Sequence, residues 1–282
     1  MKILIVGNRG MLGTDLMREF GAKCEVLGVD IPELDITDAA QCRERVAELR
    51  PDVIVNAAAL TAVDYCESHE EEALRVNGEG PGNLAAAATT EGARLVHYST
   101  DYVFDGLKTG PYREEDEARP RSAYGRSKLR GEEMVRANCP DHLVLRTAWL
   151  FGCNGKNFIR TILKAARGGQ ALRVVEDQRG SPTYTRDLAK CTVRLVEERC
   201  RGTFHVTNSG ACSWFELALY ALRCAGIPAA AVTPVTSVEY PLPAPRPANS
   251  VLANLNLERA GLPALRSWRE AVLEYINCCE RN

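Results

Sequence analysis

The apolar pattern opens with KILIV at Lys2–Val6, a short run rich in branched residues, and then shifts to helical spacing at Leu12, Leu16, Met17 and Phe20. The same succession of buried strand and amphipathic helix recurs along the first half of the chain. A second strand spans roughly Glu25 to Val29, a helix capped by Thr37 or Asp38 ends before Pro51, and PDVIVNAAA reads as a buried strand closing on small residues. A polar, acidic helix follows around Tyr65 to Val76, then an alanine-rich one from about Gly80 to Glu91. The strand ARLVHYST, a helix carrying YGRSK and the strand HLVLRTAW complete the series. Such alternation predicts an α/β fold with a doubly wound parallel sheet. After about Trp149 the Gly and Pro punctuation thickens in FGCNGKNF, EDQRGSPTYTRD and YPLPAPRPANS, which predicts a smaller substrate-binding domain interleaved with the sheet. Residues 1–170 and 187–208 are assigned to the dinucleotide-binding unit, and 171–186 and 209–282 to the smaller one. Only a short helical tail follows Pro241 to Pro247, so this segment reads as a substrate-lining loop rather than a linker.

Ligands of doubly wound sheets bind beyond the carboxyl ends of the strands, and the candidate chemistry sits there. The first strand runs into Gly7-Asn8-Arg9-Gly10-Met11-Leu12-Gly13. Gly7 suits a tight turn, Gly10 lets backbone approach a pyrophosphate, Gly13 lets helix and sheet pack closely, and the helix N-terminus faces the phosphates. The second strand ends in Asp30, where an acid meets a ribose hydroxyl. Asp30 favours NADH, because a carboxylate repels a 2′-phosphate. Arg9 argues for NADPH if it grips that phosphate, and carries no weight if it is an exposed loop charge. The cofactor is therefore read as NADPH or NADH.

Further along, STDYVF at Ser99–Phe104 and YGRSK at Tyr124–Lys128 offer a hydroxyl, a phenol and an ammonium. Tyr124 and Lys128 lie four apart on one helix face, so the ammonium can sit beside the phenol and favour its ionised form. That makes Tyr124 a candidate general acid or base. The spacing alone is common on amphipathic helices, and Thr100 at a strand end serves equally well to cap backbone.

With 282 residues, 45% hydrophobic and 26% charged, the chain can bury a substantial core as one large or two small domains. Its net charge of −2, without a basic block carrying aromatics, argues against nucleic acid or anionic membrane as a partner. No apolar stretch approaches spanning length and the first is too short for a signal peptide, so a cytoplasmic location is expected. The eleven cysteines are scattered and lack paired CxxC units, and they read as reduced thiols. Cys278 and Cys279 read as packing plus surface.

Taken together, the glycine loop, Asn56-Ala-Ala-Ala with Thr61-Ala-Val-Asp64 and Cys66-Glu67, HYSTDYVFDG, YGRSK, RTAWLFG with Asn157-Phe158, DQRGSPT and RPANS resemble the extended short-chain dehydrogenases. Within them they are most similar to the dTDP-4-dehydrorhamnose reductase family, over nearly the whole chain. The resemblance implies hydride transfer from a reduced nicotinamide to the C4 carbonyl of a dTDP-linked 4-keto-6-deoxy sugar. Tyr124 would donate the proton, Lys128 would lower the Tyr124 pKa and bond the nicotinamide ribose, and Thr100 would hold the carbonyl oxygen. By motif position Gly7, Gly10, Met11, Leu12 and Gly13 would meet the pyrophosphate, Asp30 the adenosine ribose, Asp35 and Ile36 the adenine, and Ala57, Ala58 and Ala59 the nicotinamide half. Thr61, Val63, Tyr102, Trp149 and Asn157 would approach the sugar and its diphosphate, with Arg246 as a phosphate clamp. Trp149 also suits a core aromatic, and Asp35 a helix-entry cap. Some relatives hold magnesium at a dimer interface. Here Asp15 matches one ligand, but Arg186, just before Asp187, puts a cation where a carboxylate is needed, so no metal and a monomer or homodimer are expected. A related branch acts as a regulatory methionine adenosyltransferase subunit, and other nucleotide-linked 4-keto-6-deoxy sugars are alternative substrates.

Overall fold

Six parallel strands form the central sheet of the computed structural model, which describes residues 1–229 and 232–280. In chain order they are β1 (Lys2–Val6), β2 (Glu25–Val29), β3 (Val53–Asn56), β4 (Arg94–Thr100), β5 (His142–Thr147) and β6 (Gly202–His205). Their spatial order is β6-β5-β4-β3-β1-β2. Side chains alternate across each strand, so Ile3 and Ile5 join one core while Leu4 and Val6 join the other. Helices Met11–Gly21 and Thr185–Glu197 cover the first face, and Ala39–Leu49, Gly80–Thr90 and Ala123–Asn138 the second. The chain leaves β1 toward β2 on one side and leaves β3 toward β4 on the other, which opens a crevice at the carboxyl ends of β1 and β3.

Local signals explain the element ends. Of the candidate caps Thr37 and Asp38, it is Asp38 that accepts from the Ala40 and Gln41 N–H groups, while Thr37 donates its N–H to Asp35 at 2.9 Å in a turn just upstream. The acidic segment expected as one helix is instead broken into Val63–Ser68, Glu70–Ala73 and a π-helical stretch, Leu74–Glu79. His69 leaves helical geometry at φ −135°. Asn77, turned inward by the wide turn, exchanges hydrogen bonds with the Leu60 N–H at 2.8 Å and the Leu60 carbonyl at 2.9 Å.

A second core lies beyond the sheet. Phe151, Ile159, Leu163, Val174, Tyr184, Leu217, Trp268, Val272 and Tyr275 bury one another there. Helix Phe158–Arg167 buries Ile159, Ile162 and Leu163 in this core. Residues 230, 231, 281 and 282 of the expected smaller unit lie outside the described residues. Cysteine usage needs correction. Cys153 and Cys279 are bonded as a disulfide across a Cα separation of 5.4 Å, whereas nine cysteines are free. Folding brings together two residues 126 positions apart, which spacing along the chain does not reveal. Among the described residues no helix is long and apolar enough to cross a membrane.

Candidate active site

The glycine loop closes tightly on β1. Gly7 has φ +80°, and a Cβ there would sit 2.7 Å from the Ala58 nitrogen. A Cβ on Gly13 would fall onto the Gly7 carbonyl oxygen, so the first helical turn can approach the loop only as glycine. Gly10 then stands at the N-cap without a side-chain cap, and the first N–H groups of Met11–Gly21 remain available.

Two contiguous clefts share Gly10, Ala57, Ala58 and Ala59. One, about 360 Å³, is lined by Gly7, Asp30, Asp35 and Ile36, together with Ile31, Leu34 and Glu72. The other, about 540 Å³, contains Met11, Leu12, Gly13, Thr61, Val63, Thr100, Tyr102, Tyr124, Lys128 and Trp149. An elongated site therefore runs from an acidic end near β2 across the glycine loop to the hydroxyl cluster at the end of β4. Its length and its bare helix terminus suit a dinucleotide.

The hydroxyl cluster is assembled by two elements. β4 ends at Thr100, and helix Ala123–Asn138, capped by Ser122 through the Gly125 N–H at 3.1 Å, carries Tyr124 and Lys128 in its first turns. Lys128 is 3% exposed, and its ammonium donates to the Tyr98 carbonyl at 2.6 Å. Burial pushes this ammonium down to about 8, opposed by Glu132. The phenol of Tyr124 departs from the expected ionisation. Burial drives its pKa above the ordinary tyrosine value and outweighs a hydrogen bond with Thr100, so Tyr124 keeps its proton. Its ring meets that of Tyr102 edge-on, with centroids 5.6 Å apart.

Asp101 belongs to this cluster although the sequence reading did not assign it a role. It is 2% exposed, accepts the Thr100 hydroxyl at 2.9 Å, and is raised to about 6 by burial. Its place inside the STDYVF segment was the available signal. Trp214 was also missed. It stacks on Trp149 at 3.5 Å, so Trp149 is both a packed aromatic and a wall of the cavity. Nothing local links two residues so far apart in sequence.

Three of the expected contact residues have protein partners of their own. Asn157 does not line the cavity, since its amide caps helix Phe158–Arg167 through the Arg160 N–H at 3.0 Å and donates to the Gly152 carbonyl and the Tyr275 hydroxyl. Arg246 is not a free clamp. Its guanidinium donates to Asp64 at 2.9 Å and to the Ala244 carbonyl at 3.0 Å. Arg9 lines neither cleft, and its guanidinium engages Glu33 and the Ile31 carbonyl. In each case folding supplies a protein partner that uses the side chain's hydrogen-bonding capacity.

Asp15, the candidate metal ligand, accepts from the Thr185 hydroxyl at 2.5 Å and pairs with Arg18 at 2.7 Å. Arg186 faces Glu274 at 3.3 Å and Glu19 at 3.6 Å, while Asp187 is gripped by Arg266. No cluster of three or more His, Cys, Asp or Glu suited to a metal occurs among the described residues.

The chain is similar along its length to several known proteins. A Streptomyces griseus dTDP-4-dehydrorhamnose reductase is 44% identical, over 96% of this chain and 91% of that protein. The Bacillus subtilis spore coat polysaccharide biosynthesis protein SpsK is also 44% identical, over 98% and 96%. The crystal structure of dTDP-4-dehydrorhamnose reductase from Bacillus anthracis in complex with NADP superposes with a TM-score of 0.96 at 35% identity, covering 98% of each chain. The profile of the RmlD substrate binding domain family matches residues 1–280, and the chain belongs to that family.

Proposed function

We propose that this protein reduces the C4 ketone of dTDP-4-dehydro-L-rhamnose to dTDP-L-rhamnose with NADH or NADPH. The observation that carries this reading is the meeting of Thr100, Tyr124 and Lys128 with the glycine loop in one cavity. In the proposed site Gly7, Gly10–Gly13 and Ala57–Ala59 would hold the cofactor, and Asp30, Asp35 and Ile36 would receive its adenosine. When bound, the reduced nicotinamide supplies the hydride.

The chain supplies the rest. Tyr124 holds its proton at neutral pH and gives it to the C4 oxygen as negative charge develops there. The buried Lys128 ammonium would stabilise the resulting phenolate and would hold the nicotinamide ribose. Thr100, accepting the Tyr102 N–H at 3.2 Å and donating to Asp101 at 2.9 Å, fixes the position of the phenol, and its hydroxyl would turn from Asp101 to donate to the substrate carbonyl. Thr61, Val63, Tyr102 and Trp149 form the sugar side of the cavity. We assign the sheet with its covering helices to the cofactor and the second core to the substrate. The reading carries with it a cytoplasmic monomer or homodimer.

The decisive assay mixes purified protein, NADH or NADPH, and freshly made dTDP-4-dehydrorhamnose. Nicotinamide absorbance should fall in step with formation of the reduced sugar. No oxidation with either cofactor would refute the reductase reading and favour a regulatory binding protein. Competition with other nucleotide-linked 4-keto-6-deoxy sugars tests the substrate, with preferred turnover of another sugar overturning the rhamnose assignment.

Lys128 also sets a pH dependence. Its pKa is lowered from the ordinary lysine value to about 8, so the ammonium is present below that pH and lost above it. Turnover at saturating sugar should therefore decline as pH rises through about 8. A flat profile through that window would exclude the charged form as the working one.

A further inference from the structure

The acidic end of the cleft adjoins Arg9, whose guanidinium is already held. Asp30, Asp35 and Glu72 are carboxylates in the lining of that end, and no Lys or Arg among the described residues lines it. Asp30 is locked at the end of β2, accepting the Ile31 N–H at 2.9 Å and the Arg9 N–H at 3.1 Å. The turn that follows is closed by Glu33 and Leu34, whose N–H groups donate to the Asp30 carbonyl at 2.7 and 3.1 Å. This turn carries Glu33 to the Arg9 guanidinium, whose other arm donates to the Ile31 carbonyl at 3.3 Å. The Glu33 carboxyl lies below the usual carboxylate range, held there by its own backbone N–H and by Arg9.

A 2′-phosphate on the adenosine ribose would bring about two negative charges toward this acidic turn. Arg9 is the one cation of the glycine loop able to receive it, and Glu33 competes for the same guanidinium. A ribose 2′-hydroxyl asks only for an acceptor, which Asp30 provides.

We propose that Glu33 is a specificity residue that keeps Arg9 from a 2′-phosphate, so that this chain selects NADH over NADPH. The inference rests on the assignment of the cleft to a nicotinamide dinucleotide. It is drawn from this chain's own residues and concerns a choice that a relative's NADP complex leaves open.

The test is direct titration of the full chain with NADH and with NADPH, read by nicotinamide fluorescence in the absence of sugar. NADH should bind about tenfold more tightly than NADPH, on the scale expected for one to two like-charge contacts in water. Glu33→Ala should tighten NADPH by about three- to tenfold and leave NADH within about twofold, as loss of an exposed ion-pair competitor allows. Because Glu33 and Arg9 are largely exposed, both substitutions should leave the fold intact. The double variant Glu33→Ala with Arg9→Ala should lose the NADPH gain. Raising salt should narrow the wild-type preference. Equal affinities in the wild type, or an unchanged NADPH affinity in Glu33→Ala, would overturn the proposal while tight NADH binding left the reductase reading standing. Failure of both cofactors to bind would overturn the two together.

Discussion

Tyr124→Phe should lower kcat by about 10²–10⁴-fold, the usual contribution of a positioned proton donor. The replacement keeps the ring and its edge contact with Tyr102, so helix Ala123–Asn138 should stay docked and the affinity for reduced nicotinamide should barely change. What disappears is the buried hydroxyl that retains its proton because burial opposes phenolate. Single-turnover rates with the sugar, paired with cofactor titration, separate the two effects. Turnover within a few-fold of wild type would remove Tyr124 from the reaction and leave the oxygen to be protonated by another group.

The second large effect concerns the ion pair behind the catalytic helix. Glu132, one turn beyond Lys128, is fully buried. It receives Arg146 through two bonds, from Nε at 2.8 Å and from Nη2 at 2.7 Å. Arg146 lies on β5 opposite Ser99 of β4, so this pair ties the helix carrying Tyr124 to the strands carrying Thr100. Burial alone raises the Glu132 carboxyl, but Arg146, Ser99 and Arg136 pull it below its ordinary value. Arg146→Met strips the bidentate partner and leaves a buried carboxylate served mainly by Arg136, at a cost of about 3–5 kcal/mol. Denaturant unfolding should show a lower midpoint with an unchanged slope.

Its pH dependence follows from the direction of the shift. A carboxyl depressed in the folded state stabilises the protein above its unfolded pKa, and that contribution is lost as pH falls through the folded pKa. Wild type should therefore lose stability in acid, and Arg146→Met should lose less over the same range. A variant as stable as wild type at neutral pH would show that the pair only offsets its own desolvation.

The parts of the site legible in sequence were local. Gly13 answers to the Gly7 carbonyl and Asn8 within two turns of chain, and Gly7 to its own positive φ, although a Cβ on Gly7 would also meet Ala57 and Ala58 across the sheet. Strand bounds such as Glu25–Val29 follow from a run of apolar residues ended by Asp30. Thr100, Tyr124 and Lys128 were legible as a strand end and an i, i+4 pair, and they line one cavity. Where the reading departed from the fold, a distant partner intervened. Asn157 was taken by Tyr275 and its own helix, and Arg246 by Asp64, 182 positions away. The disulfide between Cys153 and Cys279 and the stack of Trp149 on Trp214 are of the same kind.

By itself, then, the sequence determined the order of strands and helices, the glycine turn and the helical phase that sets Tyr124 above Lys128, because those depend on periodicity and steric limits within a few residues. Tertiary structure decided which charges are free and which protons are held. Desolvation raised the phenol and lowered the ammonium, and partners far along the chain claimed Arg9, Asn157 and Arg246. Burial and long-range pairing exist only once the chain has closed on itself, so no local pattern could have carried them.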